Sequence, residues 1–438
     1  MKRAGRGAWV MAAAVLGAMV LSTMPAFASG TADGRCDELM NDLRDGRFDA
    51  ATAHFDSAVK AALTPQQLGA VWQGLAGANG KLVSWEISRR SSLNGQDIVV
   101  APLKFERSSD LALVLAVDSQ SGEISGIHFV PDPPATSPPY ASTDSFHSID
   151  IQVGTAPYLL PGLLTIPANG RGPWPAVVLL GGSGPNDMDE GLGPNHIFKD
   201  IAEGLSSRGI VVLRYDKRTH DYAAKMDLQH ITVKEEYLDD AIAAVNLLRS
   251  RPEVARNQIF VAGHSLGATI APEVALKAAP VRGLILLAPS ARKFGEMNVQ
   301  QMRFLGEASH KELDQLEQKA NQLDNHLMPP TQNFLGAPAS YYYDLEARDE
   351  VAMARQLRIP ILILHGGRDY QVIDRDIELW QAGLKGVDHV RVETFPALNH
   401  FFIAGTGRPN KQEYGEPGHV DVKVIDAMTA FIEHPLSN

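Results

Sequence analysis

The stretch IFVAGHSLGAT, residues 259 to 269, is where the fold is decided. It opens as an apolar run from Ile259 to Ala262, passes through Gly263, His264, Ser265, Leu266 and Gly267, and continues into an Ala-rich segment with helical spacing. A serine held at the tip of a tight strand-to-helix turn needs small residues two places before and two after it, because a Cβ there would meet the neighbouring backbone. On its own, G-x-S-x-G also fits an ordinary turn. With a strand before it and a helix after it, the motif reads as a nucleophile elbow that presents Ser265 at the carboxyl edge of a sheet.

Working outward, PAVVLLGG (175–182), GIVVLRYDKR (209–218), VRGLILLAPS (281–290), IPILILHGG (359–367) and HVRVETFP (389–396) are further Val/Ile/Leu-rich strands. Amphipathic segments at helical period lie between them, at residues 196–209, 236–251, 266–280 and 374–386. Alternating apolar strands and helices predict an α/β fold with a mostly parallel sheet covered on both faces. The order breaks once, over residues 293–355, where a charged, Met-containing helical segment replaces the next strand and reads as an inserted lid.

Residues 143–438 are therefore expected to form one large domain. Residues 34–130 change from helical to strand-like spacing, as a small α+β unit does, with Thr64 as N-cap and Pro65 in the first turn of its second helix. The Pro-rich stretch 131–142 reads as a stiff linker between the two. At the start of the chain, Lys2, Arg3 and Arg6 precede an apolar run and the small-x-small triplet Ala26-Phe27-Ala28, so residues 1–28 have the form of a secretory signal. The expectation is an exported protein, periplasmic or secreted, with no membrane association once the signal is removed.

Composition narrows the function. The 438 residues carry 40 basic and 51 acidic side chains, a net charge of −11, which disfavours nucleic acid and other polyanions as partners. A single cysteine, Cys36, excludes an internal disulfide and any Cys-rich metal site. The loop GGSGPNDMDEG (181–191) follows a strand and leaves N–H groups bare, but it lacks the Gly-Lys-Ser/Thr ending of a phosphate loop and the spacing of a dinucleotide site. No cofactor is expected. Asp187, Asp189 and Glu190 lack the glycine and distal glutamate of a calcium loop, so no metal is expected, and capping with pairing to Lys217 or Arg218 is the reading preferred for them.

A serine hydroxyl needs a base to take its proton, and in this architecture the acid and then the histidine follow it in the chain. Asp369 comes directly after the strand IPILILHGG, whereas its rivals Asp374 and Asp376 lie deeper in the next helix. Of His389, His400, His419 and His434, only His400 leaves a strand at its carboxyl end. His264 and His365 flank turns but fit neither the order nor the direction required of the base. The candidate catalytic set is Ser265, Asp369 and His400. Candidate oxyanion donors are the N–H groups of Leu266 and Ser183.

Five spaced motifs, GGSGPND, RYDKRT, GHSLGA, HGGRDYQV and ALNHFF, occur in this order over roughly residues 145–435. The chain thereby resembles the EstD-type esterases of the α/β-hydrolase superfamily, relatives of the S9 and S33 serine peptidases and acyl thioester hydrolases. The region before the linker resembles a small domain that often precedes such hydrolases. The resemblance implies hydrolysis of small-molecule carboxylic esters through an acyl-enzyme, and places the triad on the same three residues. A peptidase or thioesterase activity stays open, as does, at the far end, a non-catalytic binding protein on the same scaffold. Met188 stands where the family has a basic residue between the two loop acids. Met297, Met302, Phe304, Leu305 and Tyr341 to Tyr343 are candidate pocket residues, with Tyr341 and Tyr342 chosen for substrate binding.

Overall fold

The computed structural model describes residues 30–436 apart from Asn94, Ser109, residues 132–134 and Glu307. The expected secretory signal lies outside the described residues. No helix among those described is long and apolar enough to cross a membrane.

The chain opens with helix α1 (Gly30–Arg44) and, after two short helical turns, α2 (Pro65–Asn79). Thr64 caps α2 in a reciprocal box, its side chain accepting from Gln67 N while Gln67 Oε1 accepts from Thr64 N at 2.9 Å. Five antiparallel strands follow, β1 (Leu82–Trp85), β2 (Arg89–Leu93), β3 (Gln96–Phe105), β4 (Leu111–Asp118) and β5 (Ile124–Pro131), in the order β1-β3-β4-β5 with β2 also paired to β3. α1 packs on this sheet over Cys36, Leu39, Met40, Phe55 and Leu113. Burial pushes the Cys36 thiol up to about 12, so it is an inert core group.

The second sheet has eight strands. They are β6 (Phe146–Thr155), β7 (Tyr158–Pro167), β8 (Trp174–Leu180), β9 (Val211–Tyr215), β10 (Val254–His264), β11 (Gly283–Leu287), β12 (Ile361–Gly366) and β13 (Val390–Phe395). Their spatial order is β13-β12-β11-β10-β8-β9-β7-β6. The six strands from β8 onward run parallel, and β6 and β7 form an antiparallel hairpin at one edge. The six parallel strands are those expected from the sequence; the hairpin is an addition, its polar edge positions and internal Pro161 weakening the apolar pattern that marks the others.

Successive residues of each central strand enter opposite cores, as the two-residue repeat of a strand requires. Val178 and Leu180 of β8 face one core with helices α4 (Asp239–Ser250), α5 (Leu266–Lys277) and α10 (Asp374–Gly383). Val177 and Leu179 face the other, with α3 (Ile197–Ser206) and α11 (Val422–Glu433). Both faces are therefore dry, which is why these strands read as continuous apolar runs. Between β11 and β12 the chain makes four helices, α6 (Phe294–Leu305), α7 (His310–Asp324), α8 (Ala339–Glu346) and α9 (Glu350–Gln356). Ser309 caps α7 through a box with Glu312.

Candidate active site

Four loops converge at the carboxyl edge of the sheet, and the pairing of neighbouring strands brings them together. Gly263 of β10 is in register with Leu180 of β8, which sets the elbow beside the Gly-rich loop. At the elbow Ser265 adopts φ 53° and ψ −120°, a strained conformation that over-determined surroundings must hold. A Cβ on Gly263 would come within 2.2 Å of Gly267 O, and one on Gly267 within 2.2 Å of Leu180 O. Glycine is thus required at both positions by close backbone approach, as the motif predicts.

Asp369 and His400 are brought into contact. His400 Nδ1 lies 2.6 Å from Asp369 Oδ2, and both side chains are buried. Asp369 Oδ1 accepts from Gln371 N at 2.7 Å and Val372 N at 3.0 Å, so backbone fixes the carboxylate in one orientation. Asn399 shapes the His400 loop by accepting from Phe401 N and Ile403 N. Arg368 straps the two loops through Glu413 and the Thr406 carbonyl. No hydrogen bond joins Ser265 Oγ to His400 among the described residues. Such bonds commonly tighten only when substrate is bound.

The rivals lie elsewhere. Asp376 is paired with Arg292, Asp374 is exposed beside His365, His389 bonds the Leu357 carbonyl, and His419 bonds Asp200. Ser183, Ser265 and Leu266 line one cleft together with Phe294, Met297 and Val372. The N–H groups of Ser183 and Leu266 have no hydrogen-bond acceptor among the described residues. Gly182 N, by contrast, is engaged by Glu190 Oε1 at 2.7 Å.

Several expectations are corrected. Tyr341 and Tyr342 do not line the cleft; they are 1% and 0% exposed and pack in the core with Phe334, and Tyr342 OH donates to the Phe334 carbonyl. Of the apolar lid residues named from sequence, Met297 lines the cleft, while Phe304 stacks on Tyr370 and Tyr343 on His326. The loop acids do not pair with Lys217 or Arg218. Asp189 pairs with Arg214 at 2.6 Å and Glu190 with His264, while Lys217 and Arg218 turn inward to Glu236 and Asp240. Asp187 is a cap, accepting from Asp189 N and Gly191 N. Met188 is held by its own N–H, which donates to Asp216 Oδ1 at 2.6 Å.

The acid, histidine and acid group of Asp216, His220 and Asp221 is close enough to share an ion, but both His220 nitrogens already face acceptors, Asp221 Oδ1 and the Ser88 carbonyl. Sequence reasoning also missed a buried pair. His264 Nδ1 lies 2.9 Å from Glu190 Oε1 and its Nε2 lies 3.0 Å from the carbonyl of His400, and the two histidine rings are 4.7 Å apart. Burial alone would lower His264, but the Glu190 charge and the His400 carbonyl raise it. No spacing rule links residue 190 to 264; the only signal was an ionisable residue inside a motif that needs only small or apolar neighbours.

A mostly parallel sheet with a serine elbow after a central strand and an acid and histidine after later strands defines an α/β-hydrolase. A family model described as serine aminopeptidase, S33, matches residues 195–331, a span that includes Ser265 and ends before Asp369 and His400. The chain is 39% identical over 411 residues to esterase EstD of Thermotoga maritima, an alignment covering 89% of this chain and 92% of that one. It belongs to that esterase family. Similar solved structures include Est1E from Butyrivibrio proteoclasticus (18% identity, 65% of this chain, 97% of that chain, TM-score 0.44) and the Pyrococcus furiosus esterase Pf2001 (19%, 61%, 89%, 0.41).

Proposed function

We propose that this esterase cleaves small-molecule carboxylic esters by two-step acyl transfer on Ser265. His400 Nε2 takes the Ser265 proton as Oγ attacks the ester carbonyl, then returns it to the departing alkoxide; water activated by the same nitrogen releases the acid and regenerates Ser265. Asp369 keeps the proton of neutral His400 on Nδ1 and stabilises the imidazolium. The N–H groups of Leu266 and Ser183 receive the negative charge that develops on the carbonyl oxygen. The observation that carries this reading is the fixed Asp369–His400 contact opening onto the same sheet edge as the strained Ser265. Phe294, Met297 and Val372 give the cleft apolar lining suited to an acyl chain, alongside the charged Arg292, Glu346, Arg348 and Glu350.

The test is a panel of short and long p-nitrophenyl esters, acyl thioesters and aminoacyl anilides, with Ser265→Ala in parallel. Esters should be the best substrates of the native chain, and a fluorophosphonate should label Ser265. Faster turnover of anilides, or labelling elsewhere, would overturn it. The reading includes export, supported by the basic, apolar and small-residue segments of residues 1–28. N-terminal sequencing of the protein recovered outside the cytoplasm should begin at Ser29.

A further inference from the structure

The Gly182–Ser183 peptide is held from behind by an unusual concentration of donors. The Gly182 carbonyl accepts from the Tyr237 hydroxyl at 2.6 Å, from Lys217 Nζ at 3.1 Å and from Asn186 Nδ2 at 3.1 Å. Lys217 is 5% and Tyr237 4% exposed, and Lys217 Nζ also contacts Tyr237 OH at 2.7 Å and Glu236 Oε1 at 2.6 Å. Burial lowers the Lys217 ammonium from its ordinary value while Glu236 pulls the other way. Glu236 and Tyr237 are delivered by a single π-helical turn, Lys234–Leu238, immediately before α4. Single π turns are rare and are frequent at functional sites.

A peptide unit is planar, and in the trans form its N–H points opposite to its C=O. The 182–183 bond is not among the cis bonds of the described residues. A carbonyl pulled into the Lys217–Tyr237 cluster therefore turns the Ser183 N–H the other way, and Ser183 lines the cleft with Ser265 and Leu266. Hydrogen bonds in series polarise one another, so donors on the carbonyl also strengthen the N–H as a donor.

We infer that Lys217 and Tyr237 are positioning residues that aim and polarise the Gly182–Ser183 peptide, so that the positive charge of a buried ammonium is relayed through one amide to the oxyanion formed on Ser265. This rests on the acyl-transfer reading of Ser265. It explains why a lysine is buried at a point where an apolar residue would cost less, and why it is bonded to a main-chain carbonyl as well as to its counter-ion.

The test uses the full chain and three variants. Tyr237→Phe removes one donor with little change of shape and should lower kcat several-fold at nearly constant KM. Removing Lys217 alone strands Glu236 as an unpaired buried charge, so Lys217→Met is compared with Lys217→Met/Glu236→Gln, in which no charge is left unpaired. Both should lose roughly 100-fold in kcat, the scale of one weakened oxyanion donor. The discriminating readout is the infrared carbonyl stretch of a slowly hydrolysed acyl-enzyme, which should move to higher frequency in Tyr237→Phe and in the double variant. An unshifted stretch, or recovery of native kcat in the double variant, would overturn the inference and leave the acyl-transfer reading intact. Activity surviving in Ser265→Ala would sink both.

Discussion

At the scale of single residues, the groups around Ser265 are held by bonds that leave each one a single arrangement. Asp369 spends one oxygen on two backbone N–H groups and the other on His400. Asp369→Asn keeps the shape but presents an amide to Nδ1, favouring the wrong tautomer, and turnover of p-nitrophenyl acetate should fall about ten-thousandfold with the melting temperature little changed. Tyr341 gives a contrasting case. Its hydroxyl is buried facing the Glu236 carboxyl, and burial together with that charge holds the phenol well above its ordinary range. Tyr341→Phe takes that hydroxyl from buried Glu236 and should cost about 1 to 3 kcal/mol of stability, read as a lower melting temperature, with KM near the native value. A large rise in KM would restore the substrate-binding role that the buried position argues against.

The elements show how much of this was legible from sequence. Apolar runs separated by amphipathic helices specify a parallel sheet, because a strand buried on both faces, as β11 and β12 are, has no polar side to disguise it; the edge strand β13 is only half-buried and alternates instead. The elbow was equally plain, since close backbone approach forbids a Cβ at Gly263 and Gly267, and that steric demand is written directly as residue type. Gly267→Ala should destabilise the protein by on the order of 3 kcal/mol and abolish labelling of Ser265 by a fluorophosphonate. What could not be read is which buried charges pair. Lys217 with Glu236, and Glu190 with His264, meet only after β8, β9, β10 and the π turn are assembled, and neither pair has a spacing that sequence repeats. The tyrosines failed for a related reason. An aromatic run on a lid helix looks the same from sequence whether it faces a cleft or a core, and Tyr341 and Tyr342 pack against the core.

At the scale of the whole molecule, buried carboxyls couple stability to pH, and one of them, Asp216, neighbours a hydrogen bond between the N-terminal region and the second sheet's side of the chain. His220, behind β9, bonds the Ser88 carbonyl between β1 and β2 and also contacts Asp221. Burial pushes the neighbouring Asp216 carboxyl up to about 7. It works against the His220 charge, but the bonds to Asp221 and Ser88 outweigh it and raise that imidazole. Burial also raises Glu350 to about 7. The unfolded chain would release carboxyl protons near about pH 4. Between about pH 4 and 7 the native state therefore holds more protons than the unfolded one, and stability falls as pH rises through that window. The raised His220 acts in the same direction, its contribution being complete below its unfolded value and lost as pH passes its folded one. Once neutral, His220 has one ring proton for two acceptors, so either Asp221 or Ser88 loses its donor. The melting temperature should fall steadily from about pH 5 to about pH 8, and proteolysis within residues 131–142 should quicken over the same range. Asp216→Asn keeps an acceptor for Met188 N and removes one ionisation, so its melting temperature should vary less with pH and exceed that of the native chain at the alkaline end. A variant that tracked the native curve at every pH would show that the Asp216 carboxyl is already ionised in the fold.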